Sequence, residues 1–216
     1  MAPKNKFTRG EMVAAAVQVV RAKGLAALTA KELAAQLGVS TQPVFTCFGT
    51  MDAAKQAVWT AAQELYDHYI QTGLAMDIPF YGVGIQHIRF AQAEPNLYRL
   101  LFLTPVSQGS NDAMAAMTQA QALVRPSLTR CYHITEGEAD RYFRDMWLVV
   151  HSLATLIVTG GCPYSEEEIG TILTGVSVSL CKAIKEIPGF VAGTYDRDQV
   201  FRGLIEGGKH EDSART

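Results

Sequence analysis

The sequence predicts an all-α fold in two parts, a small three-helix head and a larger helical body. Three observations predict it. Four stretches carry the Ser/Thr-x-x-Glu signature of a capping box, apolar residues recur at helical spacing after each, and glycines stand where the first two of those runs should stop. With 216 residues and 48% hydrophobic content the chain has ample material for a core.

The first helix is predicted to open at Thr8, because Thr8-Arg-Gly-Glu11 can satisfy two free backbone amides at a helix start. Val13, Ala16, Val17 and Val20 then share one face, and Gly24 supplies the stop. A second box, Thr29-Ala-Lys-Glu32, opens a short helix with Leu33, Ala34 and Leu37 inward and Gly38 at its end. Ser40 is the expected N-cap of the third helix, and Pro43 falls in its first turn, where a missing N–H costs no helical bond. In "LGVSTQPVFTCF" the apolar positions Leu37, Val39, Val44 and Phe48 are expected to face inward. The residues between them are left outside.

Thr50 begins a fourth helix through Val58, Ala62 and Leu65 that should end near Gly73. "AMDIPFYG" reads as a turn, followed by helical pieces Val83 to Ala93 and Asn96 to Phe102 divided at Glu94-Pro95. "TPVSQGSND" reads as a loop whose Ser110 caps a long helix through Met114, Met117 and Leu123, kinked at Pro126. Thr135-Glu-Gly-Glu138 opens a helix to about Thr159, and Ser165-Glu-Glu-Glu168 one to about Ile187. Both are apolar over too wide an arc for a helix with one exposed side, and Gly175, Ser177, Ser179 and Ala183 are small enough for another helix to approach. That excess predicts a homodimer through a four-helix interface. The expected divisions are residues 1–50, 51–190 and a partly disordered tail, 191–216, with a short helix over 195–207.

Charge separates head from body. Residues 1–50 carry a net charge of +4 and the remaining residues −6. A basic head on an acidic body suits a nucleic-acid module joined to a part with another task. The longest apolar run, Met146 to Ile157, is too short to span a bilayer, and the N-terminus has no secretory pattern, so a cytoplasmic location with no membrane partner is expected. Cysteines at 47, 131, 162 and 181 are too far apart for metal-binding pairs, and no catalytic motif appears. No enzyme activity, cofactor or metal is expected.

The run "LTAKELAAQLGVSTQPVFTCFGTMDAAKQAV" resembles the N-terminal domain of the tetracycline-repressor (TetR) family, over Thr8 to about Val58. "AEPNLYRLLF" and "WLVVHSLATL" resemble segments of TetR ligand domains. The resemblance implies a dimeric repressor under small-molecule control. A double-stranded operator would meet Thr29, Lys31 and Ser40 at its phosphates, and Thr41, Gln42, Pro43, Phe45, Thr46 and Cys47 would complete the DNA face, Gln42 being suited to read adenine. Phe45, Cys47 and Met51 replace the tyrosine, histidine and lysine that usually contact phosphate in the family. The alternative that follows is a dimeric small-molecule-binding protein with weakened or lost DNA binding. Effector-site candidates among helices five to eight are His87, Phe90, Tyr98, Met114, Met117, Trp147 and His151.

Overall fold

A computed structural model describes residues 7–104 and 113–207, and the described residues form ten α-helices and no strand. The head comprises α1 (Arg9–Lys23), α2 (Ala30–Leu37) and α3 (Gln42–Phe48). The body comprises α4 (Met51–Leu74), α5 (Pro79–Ala93), α6 (Pro95–Tyr98), α7 (Ala113–Tyr132), α8 (Glu136–Thr159), α9 (Glu166–Glu186) and α10 (Arg197–Gly207).

Capping boxes close at Thr8/Glu11, Thr135/Glu138 and Ser165/Glu168, each with the hydroxyl accepting from the N3 amide and the carboxylate accepting from the cap amide. The box at Thr29 is only half built. Thr29 Oγ1 accepts from the Glu32 amide, but the Glu32 carboxylate turns to Lys23 and the Thr29 N–H donates to the Ala27 carbonyl. A 3-10 turn at Leu25–Ala27 supplies that carbonyl. The buried stripe of α1 is Met12, Ala16, Val19 and Val20, rotated from the expected one so that Val13 and Val17 are only half-buried.

Three element boundaries differ from the sequence reading. Thr41, not Ser40, is the N-cap of α3, so Pro43 occupies its second position. α5 begins at Pro79 rather than Val83, because a proline at the first helical position lacks only an amide that would have no partner. α6 is one turn, and Arg99–Leu103 continues it as a π-helical turn. Pro126 is exposed inside a continuous α7, and Ser110 lies outside the described residues. The helix expected over 195–207 is α10.

α4 runs from the head into the body, packing against α1 and along α5, while α5 packs on α8 and α8 on α7 and α9. Its contact with α5 is unusually close: a Cβ on Gly73 would lie 2.6 Å from the Gly82 carbonyl carbon and from the Val83 nitrogen. Head and body meet a second time at α1 and α6. Arg21 Nε donates to Glu94 at 2.6 Å, and Asn96 Nδ2 donates to the Arg21 carbonyl at 3.0 Å.

Candidate functional site

α3 divides its residues between core and solvent. Val44 is completely buried and Phe48 nearly so, which fixes the helix on α1, α2 and α4. Arg9 adds a clamp, its guanidinium donating to the Cys47 carbonyl at 3.1 Å and lying 5.6 Å from the Phe48 ring centroid. Thr41, Gln42, Phe45 and Thr46 are exposed, as are Ser40, Lys31 and Thr29 before them. Thr46 Oγ1 donates to the Gln42 carbonyl at 3.0 Å. Pro43 and Cys47 are half-buried at the edges of this face.

Inside the body, six aromatic side chains from five elements converge. Tyr66 of α4, His87 of α5, Tyr98 of α6, Phe102 of the π turn, and Trp147 and His151 of α8 lie within 4.4–6.3 Å of neighbouring ring centroids. His87 Nδ1 is 2.8 Å from the Tyr66 hydroxyl, and its Nε2 is buried without a hydrogen-bond partner. Burial, with a smaller contribution from His151, pushes the His87 pKa down to about 3, so the ring is neutral. His151 stacks on Trp147, its Nδ1 lies 2.9 Å from the Tyr98 hydroxyl, and burial lowers its pKa as well.

Phe90 packs in the core with its ring centroid 5.3 Å from that of Tyr66, Met117 is a buried core residue of α7, and Met114 is not part of the cluster, being 54% exposed on the first turn of α7. The sequence candidates thus divide into four clustered side chains, two packing residues and one surface residue. Tyr66, central to the cluster, was not among them.

An apolar cavity lies elsewhere in the body. It is a cleft of about 350 Å³ among α5, the end of α7, α8 and α9, open on one side, with Phe80, Met146 and Leu173 on its apolar wall. Tyr132, Ser177, Cys181, Lys182 and Lys185 supply its polar side. Ser177 Oγ is 2.5 Å from the hydroxyl of Tyr142, whose pKa burial pushes up. None of the seven expected effector residues lines this cavity.

A family model described as "Tetracyclin repressor-like, C-terminal domain" matches residues 80–174, which hold every cluster residue except Tyr66 and three walls of the cavity. Over that span the chain is similar to a TetR C-terminal domain. Solved structures share its fold at low identity. A TetR-family protein from Streptomyces coelicolor A3 is 19% identical with a TM-score of 0.59, over 81% of this chain and 98% of that one. A protein of unknown function from Rhodococcus sp. RHA1 is 18% identical with a TM-score of 0.66, over 85% of this chain and 98% of that one. No curated protein matches the chain.

The chain has two further features that its sequence did not reveal. The Arg21–Glu94–Asn96 junction was signalled only by the Glu94-Pro95-Asn96 break, which marked a boundary without revealing its partner. The cavity had no local signal, since its wall combines residues nearly a hundred positions apart. Among the described residues no helix is long and apolar enough to cross a membrane, and no group of three or more His, Cys, Asp or Glu is placed to hold a metal ion.

Proposed function

We propose that this chain is a ligand-responsive TetR-family repressor that binds a palindromic operator as a homodimer and is released by a small-molecule effector. The observation that carries the reading is the division of α3, with Val44 and Phe48 seated in the core and Thr41, Gln42, Phe45 and Thr46 left at the surface. A short helix held in this way can place its N-terminal side chains in the major groove. Thr29, Lys31 and Ser40 would hold phosphates, and Gln42 would read a base edge. Pro43 and Cys47 would border the contact. A cytoplasmic, non-enzymatic role goes with this reading.

Support for a homodimer comes from α8 and α9. Leu148 and Leu156 of α8 are 53% and 40% exposed beside Ser152, and α9 carries the small exposed residues Gly175 and Ser179. Two copies joined through these helices would present two α3 faces to half-sites roughly 34–36 Å apart, or a multiple of that distance. Retardation of promoter DNA by the purified protein at low salt tests the reading, and its absence would overturn it.

The second reading, a dimeric small-molecule-binding protein with weakened DNA binding, is favoured by Phe45, which is 44% exposed and offers no hydroxyl to phosphate. Steep loss of DNA retention as salt rises would distinguish a phosphate-held complex from none.

A further inference from the structure

We propose that the cavity among α5, α7, α8 and α9 binds a small apolar carboxylic acid, with its hydrocarbon body against Phe80, Met146 and Leu173 and its carboxylate at Lys182 and Lys185. The step from occupant to effector rests on the regulator reading above. Binding itself does not.

The argument begins with α9. Leu173, Ser177, Cys181 and Lys185 follow one another at four-residue intervals and all line the cavity, as do Thr174, Val178 and Lys182 one position along. This helix therefore presents a gradient, from a buried leucine through a hydroxyl and a thiol to exposed ammonium groups. The opposite walls are apolar where the gradient is apolar. A volume of about 350 Å³ falls within the range of small-molecule sites.

The polar end favours an acid over a neutral or basic molecule. Lys182 and Lys185 form no ion pair among the described residues, whereas six other basic or acidic pairs do. Glu186 also borders the cavity and opposes an anion, leaving two ammonium groups against one carboxylate. A ligand carboxylate there gains charge-assisted hydrogen bonds that an alcohol of the same length cannot match. Ser177, already paired with Tyr142, holds the floor of the polar side in place.

Calorimetry of the full chain with sodium octanoate, and separately with octan-1-ol, tests the proposal. Octanoate should bind at least tenfold more tightly than the alcohol. The double substitution K182A/K185A should erase that difference while leaving alcohol binding unchanged, and Val178→Trp, at a half-exposed position on the wall, should block both. Equal binding of acid and alcohol, octanoate affinity unaffected by either variant, or no binding of octanoate would each overturn it. DNA retention is measured on the same preparation without acid: its absence beside intact octanoate binding defeats the repressor reading alone, and the reverse result defeats the cavity assignment alone.

Discussion

Val44 and Phe48 in the head spend their apolar surface on one small core, whereas Phe80, Met146 and Leu173 in the body stand around a space that no side chain fills. Beneath α3 the packing is closed, and apart from Phe45 what its N-terminal half leaves outside is polar. In the body, packing stops short, and the shortfall is itself the feature that a ligand could use. The difference teaches that the two candidate sites have opposite tolerances: the head's depends on seating a helix of seven residues without slack, and the body's on keeping a void open.

Substitutions that attack each kind of packing should break the comparison in different ways. Phe48→Ala removes a ring from the head core and should cost about 3–5 kcal/mol. Its expected signature is loss of DNA retention with octanoate binding in the body preserved. Loss of both would mean that head and body unfold as one unit, which the Arg21–Glu94 and Asn96–Arg21 contacts could enforce. Gly73→Ala comes next. Its new methyl would press on backbone that cannot rotate away, so α4 and α5 must separate, at about 3 kcal/mol and a Tm lower by roughly 6–12 °C. Because α5 carries Phe80 and α4 enters the head, this variant should alter cavity binding and DNA retention together.

What was legible in the sequence follows the same division. The seating of α3 depends on residues four apart, a spacing that any helix imposes, so Val44 and Phe48 could be assigned inward from sequence alone. Helix starts were legible where a hydroxyl and a carboxylate three positions apart could close on themselves. The start at Thr29 held with only half of its box, because Glu32 found Lys23 instead, and the reading misled at Ser40, where the chain bends one residue later than its hydroxyl suggests. Pro79 read as a turn because proline serves a turn and a first helical position equally well. The cavity was hidden for a different reason: Phe80, Tyr132 and Leu173 each sit on helical spacing as ordinary core residues, and only the mutual placement of four helices leaves space between them. Met114 failed as a ligand candidate for the converse reason, its helix face being turned to solvent.

The histidine cluster sharpens the comparison through pH. His87 has a folded pKa of about 3 against an ordinary 6.5, so between those values the unfolded chain binds the extra proton and stability falls as pH falls. The His87 contribution is complete above 6.5 and should shrink by about 2 kcal/mol on going from pH 7 to pH 5. His151 shifts in the same direction and adds to the slope. Thermal unfolding across this range should therefore show a declining Tm in the wild type and a flatter profile in His87→Asn. An equal slope in both would place the titration elsewhere. No histidine lies in the described part of the head, so the effect belongs to the body.

The smallest effects separate residues within the head's own surface. Gln42 and Thr46 are both exposed, yet their polar atoms are not equally available. Thr46 Oγ1 already donates its proton to the Gln42 carbonyl, leaving only lone pairs for an outside partner, while the Gln42 amide has both donor and acceptor groups to offer. A bidentate amide contact with adenine carries about 1–3 kcal/mol of discrimination, so Gln42→Ala should weaken operator binding by roughly tenfold and relax preference at one base pair. Thr46→Ala should change affinity less than threefold, because the bond it removes lies within α3 and the base edge loses at most an accepted hydrogen bond. Competition gel shifts with singly substituted operators would measure both. If Thr46→Ala proved the costlier change, the hydroxyl would have to abandon the Gln42 carbonyl on binding, and the helix would read DNA through its middle rather than its first turn.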